Sequence, residues 1–452
     1  MASLAASPPA SFLTGHRTWL FAATSFPLQA LIIAVAVYLP QHFAKGLGLE
    51  LAAVGATFAL VRLIDIPFDP LLGAAMDRTR SRFGRYRVWM LLGAPVLMAA
   101  IYKLFMAKAG IGTTYITIWL LIMYLGASML TLAHSAWAAT LAPTYDARSR
   151  IFGVMGAAGV AGMTLLLATP VIAPRLGVTS DAAGVQGMGW FILIAIPLAV
   201  LATIARTPEH VAPRTSRPQP GRHCLRDQIA LLVHPSMGRV VLATFLFSLG
   251  TSWEGTLFIF YFTDVRGFTA AEASTLLMVA LAAGFAGAPA LGRLATRISK
   301  HGALMAASAL YAACLASLWV IPHDAVALTC LPFITTGFLY AGFHVLLRAM
   351  TADVADEILL EQGQERGGAL YALITLAPKV AAALAVWATF TVLAAVGYEP
   401  SAGAANTSHA LEGVRAGYVL GPILFVAAGG LCMIGYRLTR ERTAEIRTLL
   451  HN

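Results

Sequence analysis

Apolar residues gather in about twelve blocks along this chain, each long enough to cross a hydrocarbon core of about 30 Å as a helix. The blocks cover residues 18–41, 51–75, 88–107, 113–139, 151–174, 187–206, 239–263, 270–293, 302–321, 324–350, 367–396 and 414–437. One long polar interruption, TPEHVAPRTSRPQPGRHCLRDQ after Arg206, is rich in proline and arginine and parts the blocks into six and six. The pattern predicts an all-α integral membrane protein with a tail at 1–17, a six-helix bundle at 18–206, a linker at 207–238, a second six-helix bundle at 239–437 and a tail at 438–452. Most of the 31 Lys and Arg fall in the tails and the even-numbered loops, which predicts that both termini are cytoplasmic.

Composition supports lipid as the solvent: 58% of residues are apolar, 12% are charged, and the mean hydropathy is +0.75. The net charge of +10 is accounted for by the positive-inside bias and contact with anionic lipid headgroups, so no nucleic-acid partner is implied. Cys224, Cys314, Cys330 and Cys432 lie at no metal or redox spacing, and no cofactor is expected. The start of the chain reads as a short polar tail before an uncleaved first helix, inserted into a plasma membrane. Neither H-E-x-x-H nor G-x-S-x-G occurs, which argues against an enzyme.

Charge inside the second block changes the picture most. Asp65 and Asp69 lie four residues apart in FALVRLIDIPFDPLLGAAMDRTRSRFGRYR, with Arg62 on the same helical face. Carboxylates at bilayer depth are costly, so each is a functional candidate facing an internal cavity, where a cation or proton is the natural guest. Pro67 and Pro70 are expected to loosen this helix beside the aspartates. Beyond them, Gly73, Asp77 and Arg78 lead into RTRSRFGRYR, and a degraded copy, GRLATRISKHG from Gly292, occupies the equivalent loop of the second half. Such a copy is the trace of an internal repeat. Most of these arginines set topology. Gly73, Asp77, Arg78 and Arg85 are candidates for a latch at the cytoplasmic face.

The Gly73–Asp77 loop resembles the G-x-x-x-D-R-x-G-R-R signature of the major facilitator superfamily, and the longer run from Arg62 through Asp65, Asp69, Pro70, Gly73, Asp77 and Arg78 to Gly84 and Arg85 resembles the glycoside-pentoside-hexuronide:cation symporter family. The likeness extends through PTYDARSR, MTADVAD and ALYALITLAPKVAAALA. It implies twelve transmembrane helices in two halves, alternating access and a monomer, with Asp65, Asp69 and Lys379 holding the coupling cation. Two departures bear on the ion. Phe68 stands where the family's sodium users place an Asn, and Leu132, beside Thr131, stands where they place a hydroxyl. With fewer oxygens on offer, a proton is favoured over sodium.

The sugar residues of the family depart further, with Gln29 in the first helix, LAHSAWAA in the fourth and Met155 in the fifth where acids and an arginine are expected. In their place the chain offers Arg62, His134, Trp137, Trp253, Glu254 and His344, a set that suits an amphipathic, aromatic or anionic solute as well as a glycoside. Histidines in a bundle equally serve as bonds across helices. Glu254 must be neutral, paired or wet, with Lys379 or His344 as expected partners. Tyr371, Thr375 and Lys379 share a face at four-residue steps and are expected to face the substrate and its cation. Arg348, Asp353 and Asp356 read as a gate or a structural ion pair, and Trp19, Trp89, Trp119 and Trp319 as interfacial anchors. The expected function is a cation-coupled symporter of a small organic solute. The alternative is a lipid or lysolipid transporter of the same fold.

Overall fold

A computed structural model describes residues 15–141, 145–172, 181–209, 231–322, 325–363, 367–400 and 406–451, and every regular element among them is helical. The chain divides into two compact units, residues 1–217 and 218–452. In the first, α1 comprises a short helix, His16–Ala22, and the span Ser25–Gly46; α2 is Leu51–Arg78, α3 Arg85–Phe105, α4 Thr113–Leu141, α5 Tyr145–Ile172 and α6 Asp181–Arg206. In the second, α7 is Pro235–Val265, α8 Ala270–Ile298, α9 Lys300–Ser317, α10 Val326–Gln362, α11 Gly367–Ala395 and α12 Ser408–Leu431, followed by a short polar α13, Arg440–His451. Eleven of these helices are long and apolar enough to cross a membrane. The twelfth of the fold, α9, opens on Lys300, His301 and Gly302 and has only 18 residues, which leaves it below that hydropathy.

Two expectations about single helices change. The helix expected at 324–350 continues three turns further, to Gln362, where Gly363 at φ +64° closes it in the left-handed conformation that glycine adopts without strain. Pro67 and Pro70 do not interrupt α2, which runs as one helix across both.

An internal repeat is visible in matching backbone detail within each unit. Both α1 and α7 end in a five-residue π-helical turn, His42–Gly46 and Tyr261–Val265. Each turn closes in the same way, with Leu47 N–H donating to His42 O at 3.1 Å and Arg266 N–H to Tyr261 O at 3.0 Å. A glycine at φ +72° follows in both, Gly48 and Gly267, and then α2 and α8 begin. The pairs 42/261, 48/267 and 51/270 keep a constant separation, which sequence identity alone does not reveal. π-Turns are uncommon and recur at functional positions, so their duplication marks a property of the ancestral half.

Close helix crossings are made by small residues, as a lipid-solvated bundle requires. A Cβ at Gly162 of α5 would lie 2.0 Å from Phe26 O of α1, one at Gly126 of α4 2.7 Å from Leu97 N of α3, and one at Gly287 of α8 1.8 Å from Phe338 O of α10. These contacts fix the helices that carry the polar side chains.

Candidate functional site

The α2 aspartates sit where α2 packs on α4. Asp65 is 3% exposed, and Arg62, one turn earlier, reaches its Oδ2 with Nη1 at 3.5 Å. The same guanidinium lies 4.4 Å over the ring of Tyr124 on α4. A cavity of about 140 Å³ opens beside them, lined by Asp65 and Tyr124 together with Ile64, Phe68, Leu121, Ile122 and Leu125. Asp69 follows one turn on, half-buried on the face of Asp65. The helical period therefore brings Arg62, Asp65 and Asp69 into one stripe, and α4 contributes the ring that supports the cation. Tyr124 was not among the residues singled out from the sequence: in LIMYLG it is one more apolar-block aromatic, and only the register of α4 against α2 gives it a role.

Other candidates of the first unit serve its packing. His134 is 1% exposed and its Nε2 lies 2.8 Å from Phe21 O, a geometry that places the proton on Nε2 to donate. Trp137 is fully buried, edge-on to Phe21 at 5.7 Å and stacked with Tyr86 at 6.5 Å. Both thus tie α4 to neighbouring helices within the unit. Gln29 is exposed on α1, with its Cγ against Gly159 of α5, where a Cβ would lie 2.5 Å away. Met155 is buried, Leu132 half-buried and Thr131 exposed.

In the second unit, Glu254 is 9% exposed and accepts hydrogen bonds from the Tyr311 hydroxyl of α9 and the Tyr418 hydroxyl of α12, the latter at 3.4 Å. Its bonding partners are thus two phenols, not the Lys379 or His344 expected from the sequence, because this face of α7 turns toward α9 and α12. Trp253 turns the same way: its Nε1 donates to Gly417 O at 2.9 Å, and Gly421 leaves room for the indole, since a Cβ there would lie 2.4 Å from Nε1. Tyr371 and Thr375 are exposed and Lys379 half-buried on one face of α11, with Thr375 Oγ1 donating to Tyr371 O at 2.8 Å. His344 is exposed on α10, its ring 4.9 Å from that of Tyr340.

The motif loop after α2 has one well-defined anchor. Gly84, at φ +100°, precedes α3, and the Glu209 carboxylate accepts from the backbone N–H groups of Tyr86 at 2.8 Å and Arg87 at 3.2 Å. An acid at a helix N-terminus satisfies orphan donors and the helix dipole together. Any Cβ at Gly84 would lie 2.1 Å from Glu209 Oε2, which explains the glycine. Arg85 turns onto Tyr86, its guanidinium 4.5 Å from the ring centroid and donating to the hydroxyl. Gly73 has open space around it, and Arg78 is exposed at the end of α2. The Asp77 side chain, residues 143–144 of PTYDARSR and the side chains of Tyr145, Asp146, Arg148 and Ser149 lie outside the described positions. In the repeat copy, Ser299 takes the place before α9 at φ +93° and accepts from Gly302 N–H, while Lys300 pairs with Asp353 of α10. Asp356 is half-buried one turn on.

Comparison with known proteins agrees with this architecture. The profile of the family described as MFS/sugar transport protein matches residues 20–440. The isoprimeverose transporter of Lactiplantibacillus pentosus is 24% identical, the alignment covering 90% of this chain and 85% of that protein. The glucuronide carrier protein homolog of Escherichia coli (strain K12) is also 24% identical, over 92% of this chain and 91% of that protein. Among solved structures, the nucleoside transporter NupG superposes with a TM-score of 0.68 at 13% identity, covering 94% of this chain and all of that one, a likeness of fold. The chain therefore belongs to the MFS/sugar transport protein family, among the glycoside-pentoside-hexuronide:cation symporters of the major facilitator superfamily, and is a multi-pass membrane transporter and not an enzyme.

Proposed function

We propose that the protein is a secondary active symporter that couples entry of a cation, with a proton favoured over sodium, to movement of a small organic solute by alternating access, with Asp65 and Asp69 as the coupling carboxylates and Lys379 as a further coupling residue. The observation that carries this reading is the cavity beside Asp65. Among the residues that line it, only Asp65 and Tyr124 have side-chain oxygen, and Arg62 already donates to that carboxylate. A sodium ion stripped of water needs several oxygen ligands, whereas a proton needs one. Phe68, at the position that offers oxygen in the family's sodium users, adds a phenyl ring to the wall.

Relatives named for isoprimeverose and for glucuronide support a sugar-like solute, neutral or acidic. Of the solute-contacting candidates, Gln29, Tyr371, Thr375 and His344 are exposed and Arg62 is half-buried, which favours them as the first to contact the solute, whereas His134, Trp137, Trp253 and Glu254 are packed within their units. Asp353 and Asp356 remain gating candidates at the end of α10, the first through its pairing with Lys300. The test is uptake into proteoliposomes under an imposed proton or sodium gradient. Asp65→Asn and Asp69→Asn are expected to lose uphill accumulation while retaining solute exchange, and normal accumulation in both variants would sink the proposal.

A further inference from the structure

Another acid lies well inside a membrane-crossing helix, and the coupling site in the first unit makes no use of it. Glu254 is 9% exposed on α7, and both of its oxygens are engaged, Oε2 with the Tyr311 hydroxyl of α9 and Oε1 with the Tyr418 hydroxyl of α12 at 3.4 Å. Among the described residues, the titratable groups within its electrostatic reach are these two phenols and Tyr340 of α10. From α11, which also packs along α7, neither Tyr371 nor Lys379 acts on it. Among the described residues, then, no cation balances a charge at this carboxyl.

Its surroundings are aromatic and tightly closed. The Tyr418 ring stacks on that of Tyr261 at 4.3 Å, and the Tyr311 ring meets that of Phe343 at 5.7 Å. Gly250, one turn before Glu254, lets α7 close on α12, since a Cβ there would lie 3.2 Å from Pro422 O. An ionised carboxylate held there by neutral phenols alone bears the cost of a buried charge without an ion partner, and a proton removes that cost. A glutamine, with one acceptor and one donor, can meet the same two hydroxyls, so packing alone does not account for an acid at this position.

We infer that Glu254 is a second proton-binding site of the chain, lodged in the second unit between Tyr311 and Tyr418, which takes a proton from water and returns it to water independently of Asp65 and Asp69. The proton resides on Oε1, the more loosely engaged oxygen, from which the carboxyl donates to the Tyr418 hydroxyl oxygen while Oε2 keeps the Tyr311 donor. Its loss leaves a carboxylate that accepts from both phenols. The bonds are thus filled in either state, and only the charge changes. Thr251 and Thr256 flank the acid and donate to Phe247 O at 3.0 Å and Ser252 O at 2.8 Å, bonds of a kind that bends helices. They place the flexible part of α7 at the depth where water must reach Glu254 for the proton to exchange.

Infrared spectroscopy of the purified full chain in lipid tests this without any solute, with the proton itself as the probe. The expected result is a carboxylic-acid C=O stretching band at neutral pH that is lost in Glu254→Gln, shifts on transfer to heavy water and fades as the pH is raised. Tyr418→Phe, which removes the acceptor of the Oε1 proton, should move the same band and serves as the second variant if Glu254→Gln does not fold; melting temperatures report folding of each. A wild-type spectrum that matches Glu254→Gln in this region, a band that neither shifts in heavy water nor fades with pH, or a band unmoved by Tyr418→Phe overturns the assignment. Asp65→Asn and Asp69→Asn should keep the Glu254 band, so failure of the coupling reading and failure of this site are separately readable.

Discussion

The Arg62 guanidinium lies 4.4 Å over the ring of Tyr124 while it donates to Asp65 at 3.5 Å, so one cation is shared between an aromatic face and a buried carboxylate. The ring holds the guanidinium on one side and the carboxylate receives it on the other, which leaves Asp65 partly compensated when no external cation is bound. If Asp65 carries the coupling proton as proposed, that proton competes with Arg62 for the carboxylate and frees the arginine to move.

Removing the ring should therefore alter the response to the driving cation. A cation–π contact in a desolvated site contributes on the order of 0.5–2 kcal/mol. Tyr124→Leu is expected to change the external pH at half-maximal uptake while leaving the amount of folded protein unchanged. The check is initial uptake rate against pH, and Tyr124→Phe, which keeps the ring, should behave nearly as the wild type does.

Glu254 is expected to act on stability more than on solute affinity. Glu254→Ala leaves the Tyr311 and Tyr418 hydroxyls buried without their acceptor, at a cost of about 1–3 kcal/mol for each. Its melting temperature should fall by several degrees, whereas Glu254→Gln, which keeps an oxygen acceptor, should lose less. Equal melting temperatures for wild type and Glu254→Ala would contradict the packing role.

Two glycines of the motif region should respond in opposite ways. Gly84→Ala introduces a Cβ 2.1 Å from Glu209 Oε2 at φ +100°, so it must both strain the backbone and displace the cap of α3. Gly73→Ala enters open space within a helix, where alanine is the better helix former by about 1 kcal/mol. Thermal unfolding should show Gly84→Ala destabilised and Gly73→Ala unchanged or stabilised. Any transport defect in the folded Gly73→Ala protein then reports on the conformational cycle.

At α8 and α10 the crossing leaves no tolerance. A Cβ at Gly287 would lie 1.8 Å from Phe338 O, and one at Gly337 2.1 Å from Ala280 O. Gly287→Val is expected to yield little monodisperse protein in size-exclusion chromatography. Gly292→Val, on the same helix in open space, should elute normally.

Much of this architecture is legible in the chain because lipid imposes simple rules. Blocks of about 20 apolar residues must be helices. The basic, proline-rich stretch after Arg206 is too polar to be expected within a bilayer, and Asp65 and Asp69 stand out because so few acids share their apolar blocks. What escaped was set by helix rotation. Glu254 could be seen as costly, but whether α7 turned it toward Lys379 or toward Tyr311 and Tyr418 depends on a face that the nearly all-round apolar helix does not reveal. His134 and Trp137 looked like ligands for the same reason and proved to be packed against Phe21. Tyr124 went the other way: it gains significance from Arg62 on a neighbouring helix. Paired π-turns at His42–Gly46 and Tyr261–Val265 share almost no side-chain identity, so the repeat they record lies in the backbone.

The most direct test of the account is uphill solute accumulation in proteoliposomes under an imposed proton gradient without sodium, in wild type and Asp65→Asn, using the compound that gives the largest thermal stabilisation. Accumulation above equilibrium is expected in the wild type, and in Asp65→Asn equilibration without accumulation while exchange of preloaded solute persists. Undiminished accumulation in Asp65→Asn, or accumulation that requires sodium in place of protons, would contradict it.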